Sequence, residues 1–144
     1  MSNIKMEYNA QIVRGWPNEG ALDRAEVIKT GVSLSNGDWV EKQSDNTVDL
    51  VGATKTARGG LVIRGNADSG SGAYTGKATV LWGNFIVQIK NLPNAVTFLP
   101  GSGLTVQNGK IQLGVVGTDP IIGHVLDVVA ASAVNDAHIV AKIN

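Results

Sequence analysis

The chemically capable residues of this chain are few, and their spacing works against a shared reaction. His124 and His138 are the only imidazoles, and there is no cysteine. A zinc or iron site would need a third ligand, and thiolate chemistry, disulfides and Cys-ligated zinc are excluded. The histidines fall on two apolar runs, Gly123–Ala130 and Asp136–Ile143, joined by Ala131–Asn135 as a hairpin would be. If Ala130 pairs with Asp136, His124 faces Lys142 and His138 faces Val128, so the rings lie far apart along the ladder. His124 and Asp127 stand three apart on a strand and project from opposite faces.

The glycine-rich stretch Gly65–Lys77, GNADSGSGAYTGK, resembles a phosphate loop and fails as one. The position five before Gly76 is Ser71, and Ala78 stands where a magnesium-binding hydroxyl belongs. The segment after Lys77 reads as strand, so no helix dipole would face a phosphate. Asn66, Asp68 and Ser69 hint at a calcium loop but supply one carboxylate and no terminal bidentate glutamate. The serines at 33, 35, 44, 69, 71, 102 and 132 lie in or beside turns, none in a G-x-S-x-G elbow. The sequence therefore offers no catalytic residue, no cofactor and no metal.

The elements around these residues are short strands. At 144 residues and 15.0 kDa the size is that of one domain, or of two small lobes divided near residue 92, about 21–92 and 93–144. Eighteen glycines punctuate valine-rich runs too short for helices. Gln43–Asn46 separates Asp38–Lys42 from Thr47–Val51 as a hairpin turn. Asn108-Gly109 is a strong type I′ signal between Leu104–Gln107 and Lys110–Leu113. Gly83-Asn84 predicts a third hairpin, with Trp82 opposite Phe85, Val80 opposite Val87 and Ala78 opposite Ile89 on a core face. Its other face has a greasy tip, Leu81 and Ile86, that should rest on another loop of the chain or on a neighbouring subunit.

Residues 1–20 read as an N-terminal arm and turn. Met6, Tyr8, Ala10 and Ile12 alternate with polar neighbours, and Gly15-Trp16-Pro17-Asn18-Glu19-Gly20 then breaks the chain. Residues 21–144 form the body, in which Ala21–Lys29 fits a short helix or an extended run equally. The expected fold is all-β, a compact barrel or sandwich built from short hairpins with an extended arm.

Charge excludes some partners. Twelve basic residues balance twelve acidic ones, so no strong field recruits nucleic acid or a membrane surface. Residues 61–118 are mildly basic and the stretch from Asp119 mildly acidic, as solvated turns or complementary subunit patches would be. Trp16, Trp39 and Trp82 are dispersed, and the latter two read as core. Lys5 and Glu7 interrupt the place where a signal peptide needs an apolar run, so synthesis in a cytoplasm is expected.

The order of these signals is similar to the head decoration, or capsid cement, proteins of tailed bacteriophages. The likeness rests on Val32-Ser33-Leu34-Ser35-Asn36-Gly37-Asp38-Trp39-Val40, then Gly83-Asn84-Phe85-Ile86-Val87. A second round follows at Leu99–Val106 and closes with Pro120-Ile121-Ile122-Gly123-His124-Val125-Leu126. The resemblance implies a small β-rich body, a homotrimer or other small oligomer, seated on the virion exterior and bound to the major capsid protein. Nucleic acid, membrane and small-molecule substrate have no part in it. On this reading Met6, Tyr8, Ala10, Ile12, Trp16 and Pro17 form the capsid-binding arm, adding a strand to a capsid sheet. Leu81 and Ile86 would line the subunit interface. A ligand-binding barrel, stacking carbohydrate on Trp16 or Trp39, and a tail-tube or fibre component are the competing readings.

Overall fold

The computed structural model describes residues 9–14, 25–68, 76–133 and 136–144. They form eleven strands and no helix. The first half supplies β1 (Ala10–Arg14), β2 (Ala25–Ile28), β3 (Trp39–Lys42), β4 (Thr47–Leu50), β5 (Gly60–Arg64) and β6 (Lys77–Leu81). The second supplies β7 (Phe85–Ile89), β8 (Gly103–Gln107), β9 (Lys110–Gly114), β10 (Gly123–Val129) and β11 (His138–Ile143). Strands β2 to β6 close into a barrel in the order β2-β4-β3-β5-β6, while the rest make a sheet ordered β1-β7-β11-β10-β8-β9. The fold is therefore all-β, a small closed barrel against a second sheet. Ala25–Ile28, ambiguous in sequence, is strand.

Two cores explain why consecutive apolar residues recur. In an extended chain neighbouring side chains point to opposite faces. In Trp39-Val40, Leu61-Val62 and Val80-Leu81 one member enters each core. Val40, Val62 and Val80 join Ile28, Leu34, Val48 and Ala78 in the barrel interior. Trp39, Leu61 and Leu81 join Phe85, Val87, Ile89, Leu104, Ile139 and Ile143 in the larger core beneath the sheet. Strands β3, β5 and β6 are thus covered on both sides.

Two predicted hairpins form, the second in the register that its two-residue Asn-Gly turn implies. Val40 faces Leu50 and Lys42 faces Val48, closed by the Gln43 amide donating to the Thr47 carbonyl at 2.8 Å. Gln107 faces Lys110 and Val106 faces Ile111 about Asn108 and Gly109, whose φ values of 53° and 71° are those of a type I′ turn. The third hairpin does not form. Gly83 and Asn84 do turn the chain, with φ of 78° and 50°, but β6 stays in the barrel beside β5 and β2. Strand β7 leaves to pair with β1 and β11, setting Phe85 opposite Ile143, Val87 opposite Ala141 and Ile89 opposite Ile139. The turn fixes a reversal, whereas the larger apolar surface of β11 fixes the partner. Trp82, expected as core, is 38% exposed as a result.

The two sheets divide between β6 and β7, and β1 joins the later strands. In the β10–β11 pair His124 does face Lys142, but a bulge between Val125 and Asp127 shifts the register by one. His138 consequently faces Val129 rather than Val128.

Candidate functional site

Among the described residues a densely bonded corner is Leu34–Asp38, part of the stretch on which the proposed resemblance rests. Gly37 has a φ of 95°, and a Cβ there would lie 2.6 Å from that of Asn9, so both backbone and space require glycine. Its amide donates to the Val62 carbonyl at 3.0 Å and its carbonyl accepts from Asn91 Nδ2 at 3.0 Å. Asp38 folds its carboxylate back to accept the Ser35 amide at 2.9 Å. Burial pushes the Asp38 carboxyl above the usual carboxylate range, partly offset by the Ser35 bonds.

Asn36 is the hub of this corner. Its side chain accepts the Ala10 amide at 2.9 Å and donates to the carbonyls of Ala10 at 3.2 Å and Ile63 at 2.9 Å. Its own amide donates to the Asp68 carboxylate at 2.9 Å, which also accepts the Gly65 amide at 2.7 Å. Asn66 closes the same loop, its Oδ1 accepting the Leu34 amide at 2.8 Å. Asn66 and Asp68, two of the residues that faintly suggested a calcium loop, thus satisfy backbone groups within the fold. By sequence alone Asn36 is merely a turn residue.

The arm is drawn into the body at β1. Gln11 faces Gln88 and Ile12 faces Val87, with a bulge between Ile12 and Arg14. Ala10 is buried and Ile12 packs, partly buried, against the main core. One side of this strand is occupied by β7, and at Ala10 the other is occupied by Asn36. That arrangement corrects the expectation of a free arm strand over Ala10–Ile12. Met6, Tyr8, Trp16 and Pro17 lie outside the described residues. Leu81, expected at a subunit interface, is 2% exposed and belongs to the chain's own core. Ile86 is half-buried on the outer sheet face, opposite Lys142.

Among the described residues the remaining chemistry is dispersed. His124 is exposed. His138 is buried, its Nδ1–H donating to the Asp136 carbonyl at 2.6 Å while Nε2 has no partner. No group of three or more His, Asp or Glu side chains suited to a metal exists among the described residues. Trp39 is fully buried and offers no stacking face. A shallow cleft of about 200 Å³ is lined by Glu41, Thr54, Lys55, Thr56 and Arg58, and Lys55 is held there by Asp119 at 3.1 Å.

One surface feature is an exposed apolar turn held by hydrogen bonds. In the turn after β9, Asp119 accepts the Val115 amide at 2.8 Å, while the amides of Thr118 and Asp119 donate to the Val115 carbonyl at 3.0 and 2.8 Å. The Val115 hydrogen bond and Lys55 hold the Asp119 carboxyl below the usual range. This braced turn presents Val115 and Val116 at 60% and 75% exposure, and Leu99 is also exposed. Isolated surface aliphatics are ordinary, but two β-branched residues on a rigid turn have little side-chain entropy to lose on contact. No protein-family model, curated protein or solved structure matches this chain.

Proposed function

We propose that the chain is a non-enzymatic virion protein that binds the outer surface of a tailed-phage capsid and cements the head against internal pressure. The observation that carries the reading is the braced turn at Val115–Asp119, an exposed apolar knob on a fold whose candidate reactive groups, among the described residues, are buried or scattered. The sequence resemblance points the same way. The partner is the major capsid protein, the working form a homotrimer, and repetition over the shell sums modest contacts into firm attachment. Ile86 and the arm residues Met6, Tyr8, Trp16 and Pro17 are the further candidate contacts. The carbohydrate reading loses Trp39, which has no exposed face to stack a sugar.

The test is co-sedimentation of the purified protein with expanded phage heads stripped of accessory proteins. Saturable binding is expected, together with slower rupture of DNA-filled heads on heating. Val116→Asp should weaken binding at least tenfold while leaving the melting temperature unchanged. Absence of binding to heads of the phage that encodes the chain would overturn the proposal.

A further inference from the structure

We propose that His138 is an acid-sensitive latch at the open end of the β10–β11 ladder, and that protonating its ring frees the Asp127–Val129 segment of β10 from the sheet. Ile139 enters the main core, so the adjacent His138 points to the outer face of the sheet, where it is nonetheless buried. Its tautomer is fixed by its partner. The Asp136 carbonyl can only accept, so Nδ1 carries the hydrogen of the 2.6 Å bond and Nε2 keeps a lone pair. That buried lone pair has no hydrogen-bond partner. A proton arriving at Nε2 finds no acceptor, and the closed corner would then hold a buried, unshared charge.

The charged groups around the ring are engaged with other partners. Strand β7 runs beside β11 with Ile89 opposite Ile139, which sets Lys90 next to His138 on the outer face. Lys90 is a like charge for a protonated ring, and it already meets the Asp136 carboxylate at 3.8 Å. On β10 the residue opposite is Val129. Asp127, on the same face two residues back, folds its carboxylate onto the Val128 amide at 2.8 Å. Lys142, four residues along β11, faces His124 at the far end of the pair.

This corner can open while the rest of the fold stays closed. The β10–β11 ladder ends with Val129 opposite His138, and the β7–β11 ladder ends at Ile139, so His138 stands at the limit of both. Strand β10 pairs with β8 only at Gly123 and His124, followed by the hydrogen bonds of Val125 with Gly101 and Ser102. Beyond them Leu126 and Val128 are exposed, and the bond from the Val128 amide to Asp127 travels with the segment. Few buried contacts and the bulge between Val125 and Asp127 make opening here local. Once the ring swings into water its proton is accommodated, and one side of Ile139, the partner of Val128, is uncovered. Acid thus presents an apolar surface that the neutral form hides.

Hydrogen exchange read by NMR tests the latch on the wild-type chain. Only the open form takes the proton, and a solvated imidazole charges near about pH 6.5, so opening becomes more frequent as pH falls through that value. Protection factors for the amides that join Asp127–Val129 to His138, corrected for the intrinsic pH dependence of exchange, should fall about tenfold between about pH 7.5 and about pH 5.5. Those of β3 and β8 should hold. His124→Gln should keep the response, whereas His138→Gln and His138→Phe should each abolish it. Four results would overturn the proposal: equal protection at both pH values, an equal loss in β3 and β8, a response that survives both His138 variants, or a wild-type His138 ring that shows Nε2 protonation while the corner stays protected.

Discussion

Replacing Asn36 with aspartate changes almost no volume, yet it should harm the protein more than cutting the side chain back to alanine. Asn36 is 7% exposed and makes three side-chain hydrogen bonds, two as donor and one as acceptor. Alanine forfeits all three, a loss of about 3 kcal/mol at about 1 kcal/mol for each net bond. Aspartate retains the acceptor for the Ala10 amide, so bond counting alone makes it the milder change. It also sets an anionic oxygen against the carbonyls of Ala10 and Ile63, beside a loop already holding the Asp68 carboxylate. Burying a charge against acceptors outweighs one retained bond, and Asn36→Asp should lose about 1–2 kcal/mol more than Asn36→Ala at neutral pH.

The pH dependence separates the donor argument from any steric one. A buried aspartate facing two carbonyls titrates above the usual carboxylate range. The folded variant then keeps its proton where the unfolded chain has lost it, so stability falls as pH rises through that window. In acid, the protonated oxygen again donates to a carbonyl and the deficit against alanine should close. Urea denaturation followed by tryptophan fluorescence at pH 7 and pH 4 would measure both. An aspartate variant as stable as the alanine variant at pH 7 would refute the reasoning.

Leu81→Ala should destabilise the isolated chain by about 2–5 kcal/mol, independent of protein concentration, and Ile86→Ala by much less, because only Leu81 lies in the core. Gly65→Ala should abolish cooperative folding or lower the melting temperature sharply, since its Cβ would sit 2.1 Å from the Leu34 carbonyl oxygen that accepts the Ala67 amide. Asp38, whose carboxyl is raised, subtracts stability as pH climbs from the ordinary carboxylate range to its higher native value. Asp38→Asn should remove that slope in denaturation series across acid pH. Asp119 is lowered, so protection of the Val115 amide should persist to pH values below the ordinary carboxylate range and vanish only as the native carboxyl protonates.

What could be read in advance was what local chemistry decides. Asn108-Gly109 specified a turn with positive φ at both residues and hence the register of β8 on β9. The polar run Gln43–Asn46 marked the β3–β4 hairpin but not its register, since Gln43 itself pairs with Thr47 and Lys42 faces Val48. Gly83-Asn84 was as clear a signal, but a turn does not choose which strands lie together. That choice rests on surfaces distant in sequence, here Ile139, Ala141 and Ile143 for Phe85, Val87 and Ile89. Asn36 escaped notice for the same reason, its partners standing 26, 27 and 32 residues away. The burial of Leu81 required knowing that β6 has a core on each side. The one-residue error at His138 came from a bulge that composition does not announce.

The braced turn is also the end of a chain of contacts that reaches both cores. Lys55, which holds Asp119, lies on the connection from β4 to β5, and that connection is sewn to the second sheet. Thr56 and Val106 exchange backbone hydrogen bonds at 3.0 and 3.1 Å, and the Asn108 amide donates to the Gly52 carbonyl at 2.8 Å. The Trp39 amide in turn donates to the Gly109 carbonyl at 3.0 Å, tying the β8–β9 tip to the barrel strand that enters the main core. A pull on Val115 or Val116 is therefore shared between the β9 ladder on one side and, through Asp119, Lys55 and Thr56, the barrel on the other. In the proposed role the attachment point must bear load without opening the fold, and a knob fixed to both sheets meets that demand where a free loop would not. Cutting the tie with Lys55→Met should leave equilibrium binding to heads nearly intact while shortening the lifetime of the attached protein under heat or flow. Equal loss of affinity and lifetime would mean that Lys55 only shapes the knob and carries no load.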